Sequence, residues 1–152
     1  MKNFVLILMM IVLTHCGYSA VYKNQEKSNL NITIKELKGD KSINNILRTK
    51  LRRYSSDDST NIFTISAETA YSKSILSKDK TGRATDLKLS TSIKFIIMHK
   101  NKEESFHFSE SLNIDNSSDF YEQNNYENNI KNNFVNEIIG ELIIKLNLLN
   151  DY

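Results

Sequence analysis

The chain has 152 residues, of which 25% are charged and 39% are hydrophobic, a mixture typical of one folded domain and not of a disordered chain. Its net charge of +2 gives no indication of nucleic-acid binding. The single cysteine, Cys16, excludes an internal disulfide and a zinc site made of several cysteines.

The N-terminal segment combines one positive charge with an apolar run. Lys2 provides the charge, and Phe4 to Leu13 is an unbroken run of ten apolar residues. As a helix this run would be roughly 15 Å long, whereas the core of a bilayer is about 30 Å thick. The run is therefore too short to span a membrane stably, and we predict that residues 1–15 are a signal peptide that is removed.

The tetrapeptide "LTHC" follows this run and resembles the cleavage site of bacterial lipoproteins. In such sites an apolar residue stands three positions before a cysteine, which is lipidated and becomes the new N-terminus. Leu13 and Thr14 match this pattern, whereas His15 stands where a small residue is usual. The resemblance implies a lipid anchor on Cys16, and Gly17 in the next position implies the outer membrane, facing the periplasm. The alternative is an ordinary secretory signal with Cys16 as a free thiol.

The first regular elements are predicted after a tether at residues 16–28, which shows no periodicity. Residues 29–37 alternate between apolar and polar side chains, which predicts a strand with one buried face. Asp40 is a suitable N-cap for a helix over residues 41–54. One face of that helix is apolar, with Ile43, Ile46, Leu47 and Leu51.

Three further strands are predicted in the middle of the chain. Residues 62–74, 86–98 and 105–114 each alternate between apolar and polar side chains. The connection at residues 76–84 is typical of a hairpin, because Gly82 suits a turn position with positive φ. Short turns between these strands favour an antiparallel meander.

A long helix is predicted at the C-terminus, with Ser117 or Ser118 as its N-cap and Asp119 in its first turn. Because many of its other residues are asparagines, which form helices poorly, the helix depends on packing its apolar face. Gly140 within it either admits another backbone closely or is simply tolerated. The apolar face is predicted to contain Tyr126, Ile130, Phe134, Ile138, Leu142 and Leu146.

These elements predict an α+β fold for residues 29–152, with the order β-α-β-β-β-α. Each helix has a single apolar face, so both helices can pack on one face of a four-stranded, mostly antiparallel sheet. The first helix provides the crossover between the first two strands. The other face of this two-layer sandwich is mostly serine, threonine, lysine and asparagine.

The sequence contains no recognisable catalytic set, so no enzymatic activity, cofactor or metal site is predicted. His99 and His107 lie on separate predicted strands without metal-ligand spacing, and we interpret them as surface or half-buried side chains. No phosphate-binding glycine loop or nucleophile motif is present.

Two groups of basic residues remain as candidates for binding. Arg48, Lys50, Arg52 and Arg53 complement the dipole of the first helix, with ligand binding as the alternative. The second group surrounds the predicted hairpin, where solvated charge and a site for lipid phosphate groups are both open. Its members are Lys73, Lys78, Lys80, Arg83 and Lys88.

In its order of elements the chain resembles LptE, also called RlpB, the outer-membrane lipoprotein family of lipopolysaccharide assembly. The resemblance covers essentially the whole chain: a lipoprotein signal, then strand, helix, three strands and a long helix. Its local anchors are "CGYSAVY" at residues 16–22 and "KDKTGRATDLKLS" at residues 78–90.

The resemblance implies a role in binding and scaffolding, not in catalysis. LptE proteins plug the β-barrel of LptD, assist its assembly and help to pass lipopolysaccharide to the outer leaflet. Where the hairpin motif matches, Lys78, Lys80 and Arg83 are implied to contact lipopolysaccharide. The alternative is an auxiliary lipoprotein of an ABC-type lipid transporter, and neighbouring genes would discriminate between the two.

Overall fold

Four strands and two helices follow one another in the order β-α-β-β-β-α, which confirms the predicted α+β fold. The computed structural model describes residues 30–55 and 61–150. A short 3₁₀ turn at Arg52–Tyr54 extends the first helix. The elements are β1 (Asn31–Gly39), α1 (Lys41–Leu51), β2 (Ile62–Lys78), β3 (Ala84–His99), β4 (Lys102–Asp115) and α2 (Phe120–Asn150).

The strands form one sheet in the order β1-β2-β3-β4. β1 pairs with β2 in parallel, so α1 is the crossover between them, and the three later strands form the predicted antiparallel meander. Lys100 and Asn101 connect β3 to β4, and both have positive φ, 47° and 64°. This two-residue connection matches the twist of the strands that it joins.

The junction of β1 and α1 depends on a close approach between backbones. A Cβ atom on Gly39, whose φ is +95°, would lie 1.8 Å from the carbonyl oxygen of Thr69 in β2. The Thr69 hydroxyl lies 3.0 Å from the Lys38 carbonyl oxygen. Asp40 then caps α1 as predicted, because its Oδ1 accepts a hydrogen bond of 2.9 Å from the Ile43 amide.

β1 contains a bulge between Ile34 and Glu36. Before the bulge, Leu30 and Ile32 are buried on the helix-facing side. After it the alternation changes phase, and Leu37 packs against the same core. The extra residue therefore keeps the apolar side chains of β1 on one face up to the strand's end.

Both helices pack on the same face of the sheet, as predicted. Only α2 covers the half of the sheet that lies nearer the β2–β3 hairpin. The larger part of the core contains residues of both helices, including Leu47 and Leu142. The smaller part lies between the sheet and the N-terminal half of α2, with Leu87, Leu89, Ile114, Ile130 and Phe134.

The first turns of α2 differ from the prediction at two positions. The N-cap is Asp119, not Ser117 or Ser118, because its Oδ1 accepts hydrogen bonds from the amides of Tyr121 and Glu122. The sequence predicts that Tyr126 is buried, but this residue is 49% exposed.

The buried positions at this end of α2 are Gln123 and Glu127. Residues that follow one another at every fourth position are offset by about 40° around a helix axis. A stripe with this spacing therefore leaves the buried face toward the N-terminal end of α2. Counted back from Phe134, seven residues complete almost two turns and lead to Glu127 instead of Tyr126.

Gly140 does not admit a neighbouring backbone, because a Cβ atom there would meet nothing within 4 Å. Of the two interpretations of this glycine, the structure therefore supports simple tolerance. Leu112 is an exception on β4, because it is 43% exposed although its position in the alternation is that of the buried residues Phe108 and Ile114.

The sheet face opposite the helices is open and mostly polar. Ser72 and Ser90 lie across from each other on it and their hydroxyl oxygens are 2.7 Å apart. Toward the β3–β4 turn it also exposes the apolar side chains of Ile62, Ile96 and Met98. In the part of the chain that the structure describes, neither helix has the length and apolar character needed to cross a membrane.

Candidate functional site

The tip of the β2–β3 hairpin is organised by the carboxylate of Asp79. Its Oδ1 accepts hydrogen bonds from the amides of Thr81 and Arg83, at 2.7 Å and 3.0 Å, and from the Thr81 hydroxyl at 2.6 Å. Gly82, with φ of +82°, completes the turn by donating from its amide to the Asp79 carbonyl oxygen. A polar residue between two lysines thus determines the shape of the loop.

The same hydrogen bonds lower the pKa of Asp79. The Thr81 hydroxyl makes the largest contribution, followed by the Arg83 amide, because both stabilise the ionised carboxylate. Asp79 therefore remains charged at neutral pH and holds the turn in one conformation.

The three predicted lipopolysaccharide-binding residues lie together at this tip. Lys78, Lys80 and Arg83 are exposed, and within residues 30–55 and 61–150 none of the three forms an ion pair. Free cations that a rigid turn brings together can bind phosphate oxygens, and a guanidinium can do so with two parallel hydrogen bonds.

The rest of the basic group does not belong to this tip. Lys73 lies under α2, where its Nζ pairs with the Glu127 carboxylate. Lys88 lies further along β3, on the open sheet face opposite Ser74 and Asn113. The sequence grouped these cations by proximity in the chain, whereas the alternation of the strands separates them onto two faces.

The pairing of Lys73 is part of a buried polar cluster that the sequence did not predict. Glu127 Oε1 accepts hydrogen bonds from Lys73 Nζ and, at 2.9 Å, from Gln123 Nε2. Gln123 Oε1 in turn accepts from the Ser117 amide at 2.9 Å. These bonds connect the β4–α2 loop, the first turns of α2 and β2.

Tyr71 lies beside this cluster, at the boundary between the two parts of the core. Burial and the neighbouring charge of Glu127 raise the pKa of its hydroxyl to about 12. Lys131 Nζ lies 4.3 Å from the centre of the Tyr71 ring, a distance suited to a cation–π contact. The i, i+4 spacing of Gln123 and Glu127, followed by Ile130 and Phe134, is a signal from which this cluster could have been found.

The histidines occupy the kind of position that the sequence suggested. The His99 ring stacks on Phe63, with ring centres 4.1 Å apart, and its Nδ1 lies 3.1 Å from the Ile62 carbonyl oxygen. His107 is exposed on β4. Among the described residues, no group of histidine, cysteine, aspartate and glutamate side chains could hold a metal ion.

The basic residues of α1 support the interpretation as helix-capping charges, because Arg48 and Lys50 lie in its last turn. Arg48 and Arg52 also line a surface groove beside β1 with a volume of about 390 Å³. The signal peptide, the lipidation site Cys16 and the tether lie outside the described residues, so these stay predictions.

The fold places the protein in the class of two-layer α+β domains with a mixed four-stranded sheet. One face of this sheet is open, and a basic hairpin extends past the helices. A solved structure of this class is rare lipoprotein B from Shewanella oneidensis, with a TM-score of 0.56 and 15% sequence identity. The likeness covers 76% of this chain and 99% of that one.

Two further solved structures are less similar. A putative lipoprotein from Caulobacter crescentus has a TM-score of 0.48 and 12% identity, over 79% of this chain and 88% of that one. A minor lipoprotein from Acinetobacter baumannii has a TM-score of 0.48 and 11% identity, over 73% and 94%. No protein-family model and no curated protein sequence matches the chain. The chain thus has the fold of rare lipoprotein B.

Proposed function

We propose that this chain is an outer-membrane lipoprotein of the LptE type. In this role it plugs an LptD-like β-barrel, assists the assembly of that barrel and helps to deliver lipopolysaccharide to the outer leaflet. The observation that supports the proposal is the shared fold, which extends over 99% of the rare lipoprotein B chain. The predicted lipoprotein signal that ends at Cys16 agrees with it.

The open sheet face suits a position inside a large barrel. Its serine pairs, such as Ser72 with Ser90, present hydroxyl groups to the outside, and the lumen of such a barrel is polar. A lipid anchor at Cys16 would hold the domain at the membrane that contains the barrel and raise its effective concentration there.

The hairpin tip is the proposed contact with lipopolysaccharide. Lys78, Lys80 and Arg83 would bind phosphate groups of the lipid, and Asp79 would keep the turn rigid. Because the three cations are exposed and have no ion-pair partner among the described residues, no internal salt bridge has to break before they bind.

Co-purification tests the plug role directly. The full chain, extracted from membranes in detergent, should bring down a large β-barrel protein in a stoichiometric complex. If no such barrel accompanies the extracted protein, the plug role is wrong.

A charge reversal tests the hairpin. The double variant Arg83→Glu with Lys80→Glu should bind lipopolysaccharide more weakly, and the loss should be greatest at low salt, where surface charges are least screened. The matched control is Lys100→Glu with Lys102→Glu, which makes the same charge change in exposed residues at the opposite end of β3. Equal affinity for both double variants would reject the hairpin as the site and leave the plug role intact.

Replacement of the lipidated residue tests the anchor. Cys16→Ala should move the protein from the membrane to the soluble fraction unless the barrel retains it. Mass spectrometry of the native protein should find an N-terminal acylated Cys16. An unmodified thiol at that position would instead support an ordinary secretory signal.

A further inference from the structure

A cleft lies between the end of β4 and the first turns of α2, beside the root of the hairpin. Its volume is about 680 Å³, within the range of about 300–1,000 Å³ that is usual for small-ligand sites. The lining includes Asp115, Tyr121, Glu122, Asn125, Tyr126 and Asn129.

Aromatic rings at this end of the molecule are unusually exposed. Tyr121 and Tyr126, which line the cleft, are 76% and 49% exposed, and the neighbouring Phe120 is 85% exposed. Exposed aromatic side chains gathered at one place are typical of a binding surface. A ring face carries partial negative charge, so it attracts the partially positive C–H groups of a ligand that stacks on it.

The polar side chains of the cleft are amides, hydroxyls and carboxylates. Asn125 and Asn129 make no hydrogen bond through their side chains to any residue of the described part of the chain, so both amides are available to a ligand. Asp115 and Glu122 add acceptors, and none of the residues that line the cleft is a lysine or arginine. The cleft therefore disfavours phosphate, in contrast to the hairpin tip.

Hydrogen bonds to the backbone of β3 hold the wall of the cleft in place. The Asn116 amide donates to the Thr85 carbonyl oxygen at 2.7 Å, and its side-chain nitrogen donates to the Ala84 carbonyl oxygen at 2.9 Å. Asp119 occupies the first amides of α2, so the helix N-terminus does not itself supply the binding groups. Such preorganisation lowers the entropic cost of binding.

We propose that this cleft is a saccharide-binding site, which takes uncharged sugar rings. The apolar face of a sugar ring stacks on Tyr126, with Tyr121 beside it in the lining of the cleft, and the sugar hydroxyls donate to the carboxylates and exchange hydrogen bonds with the asparagine amides. A neutral sugar ring uses both kinds of group and needs no cation. This site is separate from the hairpin and does not depend on the proposed barrel partner, so either proposal can fail without the other.

The test is a nuclear magnetic resonance titration of the isotope-labelled full chain in a zwitterionic detergent that carries no sugar. The probes are neutral trisaccharides of glucose, galactose, mannose, N-acetylglucosamine and heptose, with glucose 6-phosphate and sugar-free anionic phospholipid vesicles as comparisons. At least one neutral trisaccharide should shift the amides of residues 115–129 saturably. Tyr126→Ala should weaken that binding roughly five- to tenfold, because a stacked aromatic contact is removed.

Three matched variants sharpen the result. Tyr126→Phe keeps the ring and should retain binding, Arg83→Glu should leave it unchanged, and Leu148→Ala alters a side chain of similar exposure at the far end of α2. The proposal is overturned if no trisaccharide shifts these amides, or if the double variant Tyr121→Ala with Tyr126→Ala binds as well as the native chain. It is also overturned if only the vesicles or the phosphorylated sugar produce the shifts.

Discussion

Loss of the Lys73–Glu127 ion pair should destabilise the domain, and by different amounts according to which partner is removed. The Glu127 side chain is 11% exposed, whereas that of Lys73 is 40% exposed. In Lys73→Met a nearly buried carboxylate keeps only Gln123 as a donor. In Glu127→Gln the freed ammonium can turn toward water, and the Gln123 bond can be kept.

The burial of the two side chains sets the size of the effect. Breaking a buried pair by removal of one partner costs about 3 kcal/mol when the other charge stays buried, and we expect Lys73→Met to approach that value. Loss of a hydrogen bond to a charged group costs about 1.5 kcal/mol when the remaining partner can be hydrated, and we expect this for Glu127→Gln. Each kcal/mol corresponds to a change of roughly 4 °C in Tm for a domain of this size.

The assay is urea unfolding followed by circular dichroism, with Lys88→Met as the control. Lys88 is exposed on the open sheet face, so its replacement should change the free energy of unfolding by less than about 0.5 kcal/mol. The reasoning is refuted if Lys73→Met is as stable as Lys88→Met, or if Glu127→Gln is the less stable of the two pair variants.

The pH dependence gives a second measure of the same pair. Burial raises the pKa of Glu127, but the hydrogen bonds from Lys73 and Gln123 outweigh it, so the pKa lies below the ordinary value of 4.5. The group therefore stabilises the fold fully above that value, and the stabilisation is lost as the pH falls through the lowered pKa. Because Glu127→Gln cannot titrate, its difference in stability from the native chain should shrink below about pH 4.5. A constant difference down to pH 2 would contradict this.

Three further substitutions test local features of the fold. Gly39→Ala should destabilise the domain by at least about 2 kcal/mol in urea unfolding, because its Cβ would meet the Thr69 carbonyl oxygen and its φ is positive. An unchanged free energy of unfolding would contradict the close approach of the two backbones. Gly140→Ala should stabilise α2 by about 1 kcal/mol in the same assay, because nothing lies within 4 Å of the added methyl; destabilisation would mean that something approaches it. Asp79→Ala removes the acceptor of the hairpin tip, so amide exchange at Arg83 should speed up; unchanged exchange would show that the turn does not need the carboxylate.

Much of the architecture was predictable because side-chain periodicity is a local property. The alternation in residues 86–98 predicted β3, which extends from Ala84 to His99, and the N-cap at Asp40 was predicted from residue type and position alone. The hairpin tip was also predicted, since Gly82 and the flanking polar residues indicate a turn. A pattern within ten or fifteen residues is enough for such features.

The sequence-based predictions are wrong where a feature depends on a partner that is distant in the chain. A repeat of four residues places Tyr126 on the buried face, and only the position of the sheet shows that Glu127 is buried instead. Proximity in the sequence groups Lys73 with the hairpin cations, yet its partner lies fifty-four residues away. Burial and pairing of this kind require the packed structure.

The sequence by itself determined the order of elements, most of the buried face of each element and the three cations of the hairpin turn, because each follows from residue type and spacing. Only the tertiary structure decided which carboxylate neutralises Lys73, that Gly39 and not Gly140 receives a close backbone, and that Tyr121 and Tyr126 border a cleft with Asp115. The physical reason is that β4 pairs with β3 up to Asp115 and places the start of α2 beside the root of the hairpin. No local pattern records that juxtaposition of segments.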